Sequence, residues 1–288
     1  MKISDILNSG RPTLSFEVFP PKRSAGYEEV AEATEAIAAL HPSFMSVTCG
    51  AGGTGSSRYT LRIAANLRDK TGTEVLPHLT CVSSTREYVR KTAEEYKARG
   101  FENIMALLGD IPKEGRTCWD YMYAADLIRD LRQYGDFCIG GACYPDGHVE
   151  AANKAEDIRH IKEKVDAGCS FLTTQMFFDN SVMYNYLYRL REAGITVPVL
   201  AGIMPITNVR QVETSVRLSG TYLPPHFKSM VDMFGDNPAA MKQAGIVYAS
   251  EQIIELLANG VNHIHVYTMN HPDVAERILS NISELLGR

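Results

Sequence analysis

Eight times along 288 residues a short apolar segment with strand character is followed by a helical one, and this alternation limits the fold more than any other feature. The first strand lies in the stretch Leu14 to Lys22, where Pro20 and Pro21 stop it because they have no N–H to give a sheet. Seven more follow at Phe44 to Cys49, Val75 to Cys81, Asn103 to Leu108, Phe137 to Tyr144, Phe171 to Gln175, Val197 to Ile203 and His263 to Tyr267. Between them run helical segments: Tyr27 to Leu40, with Val30, Ala33, Ile37 and Leu40 on one face, then Ser56 to Lys70, Thr85 to Arg99, Trp119 to Tyr134, Glu156 to Ala167, Ser181 to Ala193 and Asn208 to Leu218. Residues 223 to 258 read as helical insertions. A last helix starts near Asn270, a candidate N-cap, with Pro272 in its first turn. No linker divides these units, and no G-x-G-x-x-G follows the first strand. The pattern predicts an α/β fold, a single (β/α)8 TIM-type barrel over residues 1–288 with extra helices before the last strand.

Composition narrows the functional classes. With 45% hydrophobic residues the chain can bury a large core, and a net charge of −5 without a basic cluster argues against nucleic acid as a partner. No apolar run reaches the roughly 18 residues of a membrane span, and Met1 to Asp5 does not open a signal peptide. The six cysteines are scattered with no C-x-x-C pair, so a zinc or redox motif is not expected and a reducing cytoplasm is.

In a barrel of this kind chemistry belongs at the C-terminal ends of the strands. Glu17 stands in the middle of an apolar strand, where a carboxylate must be paired, protonated or turned to a polar cavity. Other polar residues fall at equivalent places: Thr48, His78, Asp110, Tyr144 with His148 beyond it, Gln175, and Thr268 to His271. Read alone, Asp110 also fits a turn aspartate and His78 a satisfied core histidine. His263 and His265 share one face of the last strand, but their position does not match the usual metal-binding H-x-H of such barrels, which opens the first strand. Asp157 and Lys164, seven apart on one helix, share a face. The glycine-rich loop from Gly50 to Gly55 lacks the Lys-Ser/Thr of a phosphate loop and reads as a connection.

At these residues the sequence resembles the methylenetetrahydrofolate reductase family over nearly its whole length. The motifs are Ser15-Phe16-Glu17-Val18-Phe19-Pro20-Pro21, Ser46 to Ala51, Pro77-His78-Leu79-Thr80-Cys81, Ala106 to Pro112, Lys164 to Gly168, Thr174 to Asp179, Gly202 to Asn208 and Tyr267-Thr268-Met269-Asn270. The resemblance implies an FAD-binding barrel that reduces 5,10-methylenetetrahydrofolate to 5-methyltetrahydrofolate by ping-pong hydride transfer through the flavin. It makes Glu17 the general acid toward N10, and Asp110 the carboxylate between flavin and pterin. Gln175 and Gln211 become substrate-side residues. Thr48, His78, Leu107, Gly109, Asp110, Tyr123, Ala124, Tyr144, His148, Asp157 and Lys164 become the FAD contacts. Burial is expected to raise the Glu17 pKa toward the operating pH. Gly109, Gly140 and Gly141 are expected to let backbone approach the isoalloxazine, and Lys164 to supply a cation for the pyrophosphate. The donor implied is NADH or NADPH, or an iron–sulfur partner subunit, and a homo-oligomer is compatible. Leu108, Ser215 and His271 depart from the family pattern, which leaves the donor open. The competing readings are a proline dehydrogenase-like FAD barrel and a flavin-carrying subunit with little activity alone.

Overall fold

All eight strand candidates pair in parallel with their sequence neighbours, and the last pairs with the first. In the computed structural model, which describes residues 1–21, 26–49, 57–111 and 115–287, they are β1 (Thr13–Val18), β2 (Phe44–Val47), β3 (Val75–Thr80), β4 (Asn103–Leu107), β5 (Cys138–Cys143), β6 (Phe171–Thr174), β7 (Val199–Ile203) and β8 (His263–Tyr267). They close a barrel in the order β1 to β8, as the alternation predicts. The registers that matter most flank β1, where Ser15 lies opposite Phe44 and His265, and Glu17 opposite Ser46 and Tyr267. Because side chains alternate along a strand, Thr13, Ser15 and Glu17 stack along one face of β1.

The barrel floor is apolar. A short helix not expected from the sequence, α1 (Ile3–Leu7), inserts Ile3 and Leu7 among Phe44, Leu76, Met105, Cys138, Phe171 and Leu200, all buried. Each such side chain contributes roughly 1.5–3 kcal/mol on burial. Asn103 fixes the plug, its Oδ1 accepting from Ile3 N (2.8 Å) and its Nδ2 donating to Met1 O (3.0 Å).

The outer layer comprises α2 (Tyr27–Ala38), α3 (Ser57–Thr71), α4 (Arg86–Ala98), α5 (Ala124–Tyr134), α6 (Lys154–Asp166), α7 (Asn180–Glu192), α8 (Val209–Ser219), α9 (Pro225–Phe234), α10 (Pro238–Ala258) and α11 (Pro272–Ile282). The sequence reading gave the seventh helical place to the segment after Asn208. In the structure the 21-residue α10 packs against both α7 and α11, so α10 holds that place in the ring. The helix α9 packs on α10, and Phe227 and Met241 join Met176, Phe178, Met204 and Ile206 in a buried cluster beyond β6 and β7.

Three further expectations change. The helix read from Trp119 starts only at Ala124, because the Asp126 carboxylate accepts from the N–H groups of Met122 and Tyr123 (both 3.1 Å) and sets the helix start there. Asn270 is not the N-cap of α11. It adopts a left-handed backbone (φ 57°), and its side chain clasps Phe19, accepting from Phe19 N (3.0 Å) and donating to Phe19 O (2.9 Å). Gly140 faces Phe171 and Met105, and Gly141 faces Cys169 and Leu172, so both serve close packing of the barrel wall and not access to a ligand. The Gly50 to Gly55 loop lies outside the described residues.

Gly245 of α10 sits against the backbone that follows β7: a Cβ there would come 1.7 Å from the carbonyl oxygen of Ile206. Backbone cannot rotate away as a side chain can. Gly245→Ala is expected to destabilise the protein by about 1–3 kcal/mol or more, read as a lower urea midpoint at unchanged slope. An unchanged midpoint would mean that the α10 seat is not tight.

Candidate active site

At the open end of the barrel Glu17 enters a polar cage built by four strands. Ser46 of β2 donates from Oγ to Glu17 Oε2 at 3.2 Å. The Nε2 atoms of His78 (β3) and His265 (β8) each lie 3.6 Å from that oxygen. Ser46 Oγ is 3.3 Å from His265 Nε2, and Ser15 Oγ is 2.8 Å from His265 Nδ1. Both histidines are buried, and Glu17 keeps 20% of its side chain exposed. Burial pushes the Glu17 pKa up, but the His265 hydrogen bond, the His78 charge and Ser46 outweigh it, so the carboxyl sits below its ordinary value. This reverses the rise expected from the apolar strand: the sequence shows the neighbours along the chain, and the strands across the barrel decide the sign. Burial holds the His78 pKa down at about 4, which keeps this imidazole neutral near neutrality.

Tyr267 completes the cage. Its hydroxyl donates to Thr174 O at 2.5 Å across the β7 position of Gly202, where a Cβ would stand 2.6 Å from that hydroxyl. Thr268 Oγ1 donates to Glu17 O at 2.7 Å.

A second polar group follows β4 and β5 and extends onto α6. Gly109 takes φ 86°, and a Cβ there would meet Thr80 at 2.9 Å and Val82 at 3.0 Å, so a left-handed turn and crowding require glycine, and Asp110 emerges exposed beyond it. The rings of Tyr144 and His148 meet edge to face at 4.5 Å. Asp157, in the first turn of α6, is buried, and burial raises its pKa against the opposing charges of Lys164 and His148. Burial lowers the Lys164 pKa, and its Nζ donates to Ala142 O at 2.8 Å. Among the described residues no ion pair of 4 Å or less joins Asp157 to Lys164, so a buried carboxyl and a half-buried amine lie on one face of α6 without closing on each other.

Thr48 follows β2 and its carbonyl accepts from Thr60 Oγ1 (2.8 Å), and Leu107 ends β4. Ala124 is buried at the start of α5, whereas Tyr123 is 55% exposed and stacks on His160. Gln175 turns its amide oxygen onto Met176 N (2.9 Å). Gln211 caps α8, its oxygen accepting from Thr207 N (2.7 Å) and Asn208 N (3.2 Å). Sequence reading missed Ser15, Ser46 and His265 as site residues. The alternation of His263 and His265 was the available signal, but their partners Thr13 and Ser15 lie 250 residues away.

Three comparisons bear on the family. The family model for methylenetetrahydrofolate reductase matches residues 2–283. The 5,10-methylenetetrahydrofolate reductase of Pectobacterium carotovorum subsp. carotovorum is 35% identical over 93% of this chain and 89% of its own length, and that of Escherichia coli K12 is 34% identical over 93% and 90%. A Zea mays protein named methylenetetrahydrofolate reductase (NADH) 1 is 34% identical over 98% of the chain, which spans 50% of that protein. Among solved structures, a Clostridium thermocellum protein described as binding two copies of 5-methyl-5,6,7,8-tetrahydrofolic acid superposes with a TM-score of 0.73, covering 100% of this chain and 99% of that one. At 13% identity this likeness shows the fold alone.

The cage has a pH signature. His78 binds its proton more weakly folded (about 4) than unfolded (6.5), so between these values the unfolded chain holds more protons and stability falls as pH falls. Glu17, also lowered, adds its loss only as pH drops below the ordinary carboxylate range. Unfolding free energies are expected to decline by an order of 3 kcal/mol between pH 6.5 and 4 through His78. In His78→Gln that component of the slope should vanish. An identical acid limb in both proteins would assign it elsewhere.

Proposed function

The chain belongs to the methylenetetrahydrofolate reductase family of enzymes, and from that premise we propose that it reduces the methylene bridge of 5,10-methylenetetrahydrofolate to the methyl group of 5-methyltetrahydrofolate with FAD as cofactor. The observation that carries the reading is the Glu17 cage, a carboxyl group at the barrel mouth in contact with two imidazoles and a hydroxyl. Residues 1–288 act in this reading as one FAD-binding catalytic barrel.

The donor set fits a flavin nucleotide. Buried Asp157 and half-buried Lys164 are not paired with each other and lie beside the Tyr144–His148 ring pair, which suits a ligand bringing hydroxyls and phosphate oxygens of its own. They would hold FAD together with Thr48, His78, Leu107, Gly109, Asp110, Tyr123 and Ala124. When bound, FAD supplies the hydride that the protein's side chains cannot.

The side chains do the rest. Glu17 gives a proton to N10, the bond from the bridge carbon to N10 breaks, and the iminium at N5 becomes the hydride acceptor. Asp110, exposed past β4, offers the carboxylate that lowers the energy of that cation. Gln175 at the end of β6 and Gln211 at the start of α8 hold the folate. Gln211 does so from a side chain whose oxygen already caps the helix, leaving its amide N–H groups for substrate. A pyridine nucleotide serves as donor, in line with the name of the maize relative. Among the described residues no disulfide joins the cysteines, which suits a reducing cytoplasm, and no helix is long and apolar enough to cross a membrane.

An anaerobic titration tests this. The flavin spectrum is expected to bleach with NADH or NADPH and to recover with methylenetetrahydrofolate. Bleaching only with dithionite would move the donor to a partner protein, and no recovery with the folate would end the assignment. Glu17→Gln is expected to slow the folate step by about 10²–10⁴-fold while the flavin stays bound and reducible.

A further inference from the structure

The ring of outer helices is not evenly closed. Among the described residues α2 packs against α3 and α4 against α5, but α3 and α4 stand further apart, and a cavity of about 340 Å³ lies between them. Its wall includes Arg58 and Arg62 from α3, and Lys91, Glu95, Tyr96 and Arg99 from α4. That is four cations against one carboxylate, in a chain whose net charge is −5.

Helical spacing puts these charges together. Arg58 and Arg62 are four apart on α3, and Lys91, Glu95 and Arg99 repeat at the same interval on α4, so each set shares a face. Two like charges at that spacing weaken a helix. Elsewhere on the ring exposed cations meet a carboxylate three or four residues away: Arg90 with Glu94, Arg129 with Asp126, Arg159 with Glu163 and Lys162 with Asp166. Arg58 and Arg62 do not. Among the described residues neither makes an ion pair of 4 Å or less; Arg58 donates to Tyr59 Oη at 2.8 Å, and the Arg62 guanidinium lies 3.9 Å from the centre of the Tyr27 ring. An aromatic face orients a guanidinium without neutralising it. Lys91 and Arg99 do have partners, Glu87 at 2.7 Å and Glu95 at 3.2 Å. Both pairs are solvent-exposed, and such pairs are worth little, so these cations remain available to a ligand. Tyr96 is buried, and its hydroxyl finds no hydrogen-bond partner, which leaves a donor over in the same wall.

We propose that the gap between α3 and α4 binds a small polyphosphate, free or as the tail of a nucleotide. The site shares no residue with the Glu17 cage or with the Asp157–Lys164 group, and it does not depend on the folate reading. Guanidinium forks pair with phosphate oxygens two at a time, and a lysine adds a point charge. Four cations less one carboxylate leave an excess of three, which a polyphosphate balances and a single carboxylate does not. The volume is at the lower end of small-ligand cavities, roughly 300–1,000 Å³. The positive charge is confined to this gap in an acidic chain, which favours a small anion over a nucleic acid.

Calorimetric titration of the purified protein with sodium triphosphate, and separately with ATP, in about 0.15 M salt is the experiment. Triphosphate is expected to fill one saturable site. The double variant Arg58→Gln, Arg62→Gln is expected to bind it about tenfold or more weakly. A control double variant, Arg129→Gln, Arg159→Gln, removes the same charge from α5 and α6 and is expected to bind as the wild type does. ATP held no tighter than triphosphate means that phosphates alone are read. ATP held about tenfold tighter, with the same loss in the first variant, makes a nucleotide the ligand. Amide hydrogen exchange with triphosphate bound is expected to slow in α3 and α4. Absence of a saturable site, an unchanged first variant, an equal loss in the control, or slowing confined to other helices overturns the proposal. Should the first variant not fold, Arg99→Gln at the exposed end of α4 takes its place, with weaker binding expected and unchanged binding counting against the site.

Discussion

The seam between β1 and β8 governs this molecule, because it both closes the barrel and compensates the carboxylate of Glu17. A carboxylate withdrawn from water costs several kcal/mol unless charged or hydrogen-bonding partners meet it. Here the partners come from β2, β3 and β8, so the acid acquires its properties only when the sheet has closed. The same seam is fastened at its rim by Thr268 to Glu17 O, by Asn270 to both backbone groups of Phe19, and by Tyr267 across to Thr174. These bonds bridge chain positions that only a closed ring brings together, which makes closure and site assembly a single event.

The barrel is divided along its axis. Its floor is filled by Ile3, Leu7 and the inward residues of six strands, with Asn103 a buried polar anchor to the terminal helix. Its open end carries the cage and the group around α6. A packed floor gives the strands fixed registers, and fixed registers are what set Ser15 opposite His265 and Ser46 opposite Glu17. Stability is thus gathered at one end and chemistry at the other.

The strand and helix order was legible because period-two and period-3.6 patterns are local. Ends moved where a local detail intervened: β7 begins at Val199 because Pro198 has no N–H, although its carbonyl still accepts from Leu172. The place of α10 in the ring was not legible, since it depends on the contact of Gly245 with Ile206 and not on a longer apolar stripe. In the site, Glu17 and His78 stood out as polar residues in apolar strands. Ser46 did not, because a serine in a four-residue strand carries no pattern, and His265 drew attention for metal chemistry when its partner is Ser15. The sign of the Glu17 pKa shift was missed for the same reason: burial is written along one strand, and its compensation along three others.

That sign bears on how the acid can work. A carboxyl held below its usual range is ionised at neutral pH and has no proton to give, whereas a general acid must have one. The two statements agree because the low value belongs to a carboxyl that still meets water at the barrel mouth. A flat, largely apolar substrate covering Glu17 removes that water and raises the cost of its charge. Substrate binding thus moves the carboxyl toward the protonated form that a general acid needs.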